Sequence, residues 1–363
     1  MPSASVLVVD DSATMRALIR HALSQDPEIR VVGEASNPFE AREKMKALDP
    51  DVVTLDVEMP NMNGIDFLQK IMQLRPTPVI MVSNLTAPGA AVTLAALEIG
   101  AFDCVAKPSA RDTMFQALPG LVKEAARARP ALERRRRALR AQAAPAAAPV
   151  QVRAPAMAGA APIVVDRPAA VARSGANYQM DVIGIGSSTG GVEALLQVLA
   201  DFPADCPPTV IVQHLPAAFT GSFSQRLDRV CPAAVTEARD GEPLRRGHVY
   251  LAPGGERHLR VKQGSQPFIS LAAEEAVSGH RPSVDVMMAS LAKAFGRRAV
   301  GCILTGMGRD GAQGLLEMRQ AGAKTLAQDE ETSLVYGMPR VAFEIGAAEK
   351  RLPLGRIARQ IFA

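Results

Sequence analysis

Between residues 125 and 177 the chain gives up the composition from which a core is made, and this break governs the reading of everything on either side. The stretch contains RARPALERRRRALR at 127–140, whose seven arginines and one glutamate sum to +6. It continues AQAAPAAAPVQVRAPAMAGAAP, where alanine and proline dominate and large apolar residues are sparse. Such a segment buries too little apolar surface to offset its ordering entropy and reads as a linker. Its arginine- and alanine-rich start suits continuation of a preceding helix. The 363 residues carry a net +4, so outside the arginine run the chain is about −2. The basic character therefore belongs to one short segment. A nucleic-acid reader places its charge on a recognition element, and no basic helix-turn-helix pattern is found in 178–363, so nucleic acid is not an expected partner. The chain divides into 1–124, the linker 125–177, and 178–363.

Both flanks alternate strand-like and helix-like runs. In the first, VLVV (6–9), IRVVGEA (29–35), VVTLD (52–56), PVIMVS (78–83) and DCVAK (103–107) are strand candidates. Between the first two, Met15, Leu18, Ile19, Ala22 and Leu23 fall on one helical face. Asn37 before Pro38 is a helix start with proline at the first position. In the second flank DVIGIG (181–186), TVIVQH (209–214) and AVGCILTG (299–306) are buried-strand candidates, and Val192, Leu195, Leu196 and Leu199 make a helical face. HVYLAPG, HLRVKQG and PFISLA, within 248–272, suggest a small meander or hairpin. The expected fold class is α/β: a (βα)5 domain, then a doubly wound, mostly parallel domain with a small antiparallel insert. No stretch reads as a membrane span. The N-terminus runs into VLVVD without a basic segment or a small-residue cleavage site, so no signal peptide is expected. Cys104, Cys206, Cys231 and Cys302 are widely spaced and form no C-x-x-C, in keeping with inert thiols in a reducing cytoplasm.

In a doubly wound sheet the carboxyl ends of the strands line one crevice. In the first domain those ends carry Asp10 and Asp11, Asp56, Ser83 and Lys107. Three carboxylates in one small site repel each other unless a cation binds, and hard oxygen ligands suit Mg²⁺. Lysine and hydroxyl would then hold a phosphoryl group on Asp56. The bland alternative, helix caps and a solvated lysine, serves for each residue singly but not for the whole set in this order.

In the second domain VIGIGSSTGG invites two readings. A dinucleotide-binding turn requires an acidic residue at the end of the following strand, and TVIVQHLP ends in His214 instead. The other reading is a nucleophile turn: Gly186-Ser187-Ser188-Thr189-Gly190 fits G-x-S-x-G with Ser188 at its centre. The following helix N-terminus would offer amides to an oxyanion. A serine nucleophile needs a base and the base an orienting acid. Of five histidines, His214 alone ends a core strand, whereas His280 sits in the polar loop SGHRPSVD. For the acid, Asp310 follows AVGCILTG in MGRDG, with Asp285 as rival at the start of VDVMMASLAKAF. The order Ser, His, Asp differs from that of α/β-hydrolases, so the lipase fold is not implied.

VVDDS, LDVEMPNMNG, MVSNLT and VAKP resemble the motifs of response-regulator receiver domains over about residues 4–124. The resemblance implies phosphorylation of Asp56 by a CheA-type histidine kinase, with Mg²⁺ held by Asp11, Asp56 and the backbone carbonyl of Glu58, and Asp10 nearby. Ser83 and Lys107 would sense the phosphoryl group. Cys104 stands where receivers often have an aromatic residue. GIGSSTGG, QHLP, HRPSVD, LTGMGRDGAQG and YGMPR resemble the catalytic domain of CheB-type methylesterases over about 178–360. This implies the triad Ser188, His214 and Asp310, with Thr189 and Met307 at the oxyanion hole. Ser187 replaces the alanine common before the nucleophile. The implied activity is hydrolysis of glutamate methyl esters on methyl-accepting chemotaxis receptors, releasing methanol, and deamidation of receptor glutamines, with no cofactor for ester hydrolysis. A cytoplasmic monomer without membrane insertion is expected.

Overall fold

The structure, a computed structural model, describes residues 3–59, 63–83, 87–108, 115, 117–142 and 180–363. The motif residues at 60–62 and 84–86 and the linker from 143 to 177 lie outside them. The first domain alternates β1 (Ala4–Val9), α1 (Ala13–Ser24), β2 (Ile29–Ala35), α2 (Pro38–Leu48), β3 (Val52–Asp56), α3 (Gly64–Leu74), β4 (Val79–Ser83), α4 (Ala87–Ile99), β5 (Asp103–Ala106) and α5 (Leu118–Gln142). Its strands form one parallel sheet in the order β2-β1-β3-β4-β5. β3 and β4 are buried at every residue, as strands covered by helices on both faces must be. Ile19, Ala22 and Leu23 of α1 are buried, with Met15 and Leu18 packed against the same cluster. The Asn37 side chain accepts from the amides of Phe39 and Glu40, with Pro38 at the first position of α2.

α5 runs to Gln142, past the expected domain boundary at 124. Arg129 explains part of this extension. Its guanidinium pairs with Asp49 at 2.6 Å and Asp51 at 3.0 Å, in the turn between α2 and β3, and so ties the start of the arginine-rich segment to the first domain.

The second domain comprises β6 (Val182–Ser187), α6 (Gly191–Ala200), β7 (Thr209–Gln213), α7 (Ala217–Val230), β8 (Ala234–Glu237), β9 (His248–Leu251), β10 (His258–Lys262), β11 (Phe268–Ala272), α8 (Val284–Phe295), β12 (Ala299–Ile303), α9 (Ala312–Gln320), β13 (Lys324–Gln328), α10 (Met338–Glu344), β14 (Lys350–Leu352) and α11 (Leu354–Ile361). Seven strands form a parallel sheet in the order β14-β13-β12-β6-β7-β9-β8. The order reverses between β6 and β12, which opens a crevice beyond their carboxyl ends. Among the strands of the described residues, β10 and β11 alone pair antiparallel. β9, expected as part of a meander, instead lies within the parallel sheet. Val249, Tyr250 and Leu251 are wholly buried, which suits a central strand.

The two domains pack directly on each other. α4 lies against α6 and α7, and one apolar cluster contains Leu97 and Ala101 of the first domain with Val192 and Leu215 of the second. Another joins Phe102, Phe115 and Leu118 to Val335, with Met307 and Leu334 at its edge. Glu98 of α4 forms an ion pair with Arg226 of α7.

Candidate active site

Ser188 follows β6 in a turn clamped from two sides. Its amide donates to Thr305 O at 3.1 Å, and Thr305 Oγ1 donates to Thr189 O at 3.0 Å. From the β7 side, Gln213 Nε2 donates to Ser188 O at 2.9 Å and to His214 O at 3.1 Å. Gln213 Oε1 accepts from Ser187 Oγ at 2.6 Å. The two serines therefore differ sharply. Ser187 is wholly buried and its hydroxyl is engaged, whereas Ser188 lines a cavity together with His214. Gly190 adopts φ +78° immediately before α6, a backbone that L side chains resist. A Cβ on Gly306 would lie 2.8 Å from Ser188 Cβ, so this glycine lets the loop after β12 close on the turn. Among the described residues, the amides of Thr189 and Met307 donate no hydrogen bond. Both stay available beside Ser188.

His214 directly follows β7, and its amide donates to Ser187 O at 3.1 Å. Its Nε2 lies 2.9 Å from Asp310 Oδ2. Asp310 also accepts from Ser283 Oγ (2.7 Å) and from the amides of Val284 (2.7 Å) and Asp285 (3.0 Å), the first turn of α8. Burial pushes Asp310 up, but His214, Ser283 and Val284 outweigh it and hold the carboxyl below the ordinary range. An ionised Asp310 accepts only, so Nε2 carries the hydrogen and Nδ1 the lone pair. Among the described residues, Nδ1 is buried without a hydrogen-bond partner. Asp285, the rival acid, is not the cap of α8; Ser283 is. Burial and the neighbouring Asp310 charge push Asp285 up, and its carboxylate accepts from the Gly314 amide at 2.7 Å, away from His214.

The ring of His280 stacks on that of His214, centroids 3.7 Å apart and planes 6° from parallel. His280 and Ser283 come from one loop, and neither was singled out by strand-end reasoning, since neither ends a strand.

The first domain covers this crevice. Asp103, at the start of β5, accepts from Thr189 Oγ1 at 2.5 Å. Burial pushes the Asp103 carboxyl above its ordinary range despite that bond and one from the Cys104 amide. The cavity left between the domains, bounded by Leu97, Phe102 and Asp103 on one side and Ser188 and His214 on the other, is about 90 Å³. That is room for a few waters at roughly 30 Å³ each, not for a protein segment. The Met307 side chain reaches the start of α5, where a Cβ on Gly120 would stand 3.6 Å from its Cε.

At the carboxyl ends of the first sheet, the carboxylates of Asp10, Asp11 and Asp56 lie within 4.8 Å of one another. Lys107 Nζ is 2.9 Å from Asp56 and 3.2 Å from Asp10. Burial pushes Asp56 up and the Asp10 charge adds to this, against the pull of Lys107. Burial lowers Lys107, but Asp56 and Asp10 more than reverse it and hold the ammonium above its usual range. Ser83 is buried and its hydroxyl accepts from Thr93 at 3.1 Å. The Glu58 amide donates to Asp56 at 3.3 Å, which places Glu58 at the rim. One lysine against three carboxylates leaves a hard-oxygen set of the kind that suits a divalent cation.

A family profile for CheB methylesterase matches residues 183–361, and one for the response regulator receiver domain matches 6–119. A protein-glutamate methylesterase/protein-glutamine glutaminase of Agrobacterium fabrum is 56% identical over 359 residues, covering 99% of this chain and 95% of that relative. Protein-glutamate methylesterase/protein-glutamine glutaminase 1 of Caulobacter vibrioides is 55% identical over 361 residues, covering 99% and 98%. Among solved structures, the Thermotoga maritima CheB methylesterase catalytic domain is 37% identical with a TM-score of 0.49, covering 50% of this chain and 97% of that one.

Proposed function

The chain belongs to the CheB methylesterase family, and from that membership we propose that it hydrolyses glutamate methyl esters, and deamidates glutamines, on chemoreceptors under control of its receiver domain. The observation that carries the reading is the convergence of Ser188, His214 and Asp310 at the carboxyl ends of one parallel sheet, beneath a receiver that covers them.

The chemistry follows from the hydrogen-bond directions. His214 Nδ1 removes the Ser188 proton as Oγ attacks the ester carbonyl. The imidazolium formed keeps Nε2–H directed at Asp310, whose three donors from the start of α8 keep it ionised. The oxyanion is met by the amides of Thr189 and Met307, in a site where donors need no reorganisation. The Ser188 amide is spoken for by Thr305 O and is not counted among them. The proton passes from His214 to the leaving methoxide, giving methanol, or to the leaving amine, giving ammonia. Water, deprotonated by the same imidazole, then attacks the acyl-serine and restores the enzyme. None of these steps draws on a metal.

In the receiver, Asp56 is the acceptor of a phosphoryl group from a CheA-type histidine kinase. Asp11, Asp56 and the carbonyl of Glu58 would hold Mg²⁺, with Asp10 beside them, and the ion would supply charge neutralisation at the phosphoryl oxygens. Ser83 and Lys107 would bind those oxygens. The test is methanol release from methylated receptor membranes by the full chain, with and without a small-molecule phosphodonor. Release that rises with phosphodonor is expected; none under either condition overturns the reading.

A further inference from the structure

We propose that His280 is a positioning residue for the hydrolysis, its imidazole serving as a flat wall that fixes the ring plane of His214. The inference rests on the triad reading above and adds to it. Asp310 holds His214 at one atom, Nε2. A single hydrogen bond leaves the imidazole free to rotate about the Nε2···Oδ2 line, and rotation swings Nδ1 away from Ser188. A second ring at 3.7 Å and 6° removes that freedom.

The loop that presents His280 is built to hold it there. Val277 and His280 exchange both backbone hydrogen bonds, at 3.1 and 3.0 Å, across Ser278 and Gly279. These have φ of +54° and +79°, a two-residue turn with both central residues left-handed. The base of the loop is closed by His258, which is wholly buried. Its Nδ1 accepts from the Ser283 amide at 3.1 Å and its Nε2 donates to Glu275 O at 2.8 Å, so one ring ties the two ends of the loop together. Arg281 adds a bond to Glu274 O at 2.9 Å. The loop thus delivers His280 to the face of His214 and Ser283 to the carboxylate of Asp310. Base and acid are aligned by one short segment.

The stack also suits the charge that His214 acquires. Burial and the neighbouring His214 hold the His280 imidazole down at about 4, so at neutral pH it brings no positive charge against the imidazolium that His214 becomes in the reaction. Among the described residues, Asp310 from the loop after β12 acts on His280 and Asp103 from β5 of the receiver interacts with His214.

The experiment measures methanol release from methylated receptor membranes by the full chain with phosphodonor and Mg²⁺, for the parent, His280→Ala, His280→Phe and Ser188→Ala. His280→Ala is expected to lower kcat by roughly 10- to 100-fold, with KM within about twofold, as a misoriented base would. His280→Phe keeps a flat ring without nitrogens and is expected to return kcat to within about threefold of the parent. The ¹⁵N shifts of His214 should report the Nε2–H tautomer in both variants, because rotation about the Nε2···Oδ2 line leaves that bond in place. A parent-like kcat in His280→Ala overturns the proposal, as does a His280→Phe no better than His280→Ala. Should His280→Ala fail to fold, His280→Phe decides alone: parent-like kcat supports the flat wall, and a tenfold loss overturns it. Ser188→Ala separates this from the triad itself, because parent-like release there removes the reading on which the stack depends.

Discussion

The two adjacent serines show how little local sequence separates a nucleophile from a strut. Ser187 ends β6 and Ser188 begins the turn after it, but the Ser187 hydroxyl points inward to Gln213 while Ser188 faces the cavity with His214. Ser188→Ala is expected to lower ester hydrolysis by roughly 10⁴-fold or more, as loss of a triad nucleophile does. Ser187→Ala removes one buried hydrogen bond worth about 1 kcal/mol and should leave most of the rate. Steady-state methanol release by the two variants, with circular dichroism to verify folding, checks the pair. Equal losses in both would misplace the nucleophile.

At the scale of elements, the site depends on how closely β6 meets α8. A Cβ on Gly186 would stand 2.2 Å from Val284 Cγ1. Gly186→Ala must push the start of α8 outward, and that turn supplies the donors to Asp310. A destabilisation of about 1–3 kcal/mol is expected from such overpacking, read as a lower urea midpoint, with a fall in kcat larger than any change in KM. β5 offers a second test at its first residue. In the docked structure burial raises the proton affinity of Asp103, against the pull of the Thr189 hydroxyl. A group bound more tightly to its proton in the docked state stabilises docking fully at low pH, and the contribution is lost as pH rises through its raised value. The advantage of fragment 178–363 over the intact unphosphorylated chain should therefore be largest at the acid end and shrink as pH rises. In Asp103→Asn, where the side chain carries no charge to desolvate, the ratio should be flat. A ratio that varies identically with and without the carboxylate would assign the effect elsewhere.

On the scale of the whole molecule, the receiver lies over the candidate site. Phe102, Asp103 and Leu97 close the crevice, and among the described residues the contact combines apolar packing with the ion pair of Glu98 and Arg226 and the hydrogen bond from Thr189 to Asp103. Phosphorylation at Asp56 would alter charge at the sheet end where β5 finishes and α4 starts, and a shift of ~1–3 kcal/mol in docking would change activity by roughly 5- to 150-fold. Fragment 178–363 should hydrolyse methyl esters faster than the intact unphosphorylated chain. Asp56→Asn should keep the basal rate and lose stimulation by phosphodonor with Mg²⁺. Measuring the three proteins side by side decides both points. A fragment no faster than the intact chain would mean that the receiver activates by contributing contacts, and a responsive Asp56→Asn would move the phosphorylation site.

Strand and helix periodicity, read along the chain, already placed Ser188, His214 and Asp310 on one rim and Asp10, Asp11, Asp56, Ser83 and Lys107 on another. It could do so because a parallel sheet carries every strand's carboxyl end to the same side, so address along the chain translates into address in space. The membership of β9 in the main sheet was less legible, because a short buried run in a Gly- and Pro-broken stretch satisfies a hairpin as well as a central strand. Asp103, His280, Ser283 and Gln213 belong to the tertiary structure alone. The bond from Thr189 to Asp103 spans 86 positions and crosses two domains, and His280 reaches His214 through a loop that buried His258 holds shut. Such contacts join surfaces patterned independently of each other, so no period or spacing in the chain records them. They exist only once both surfaces have folded and met.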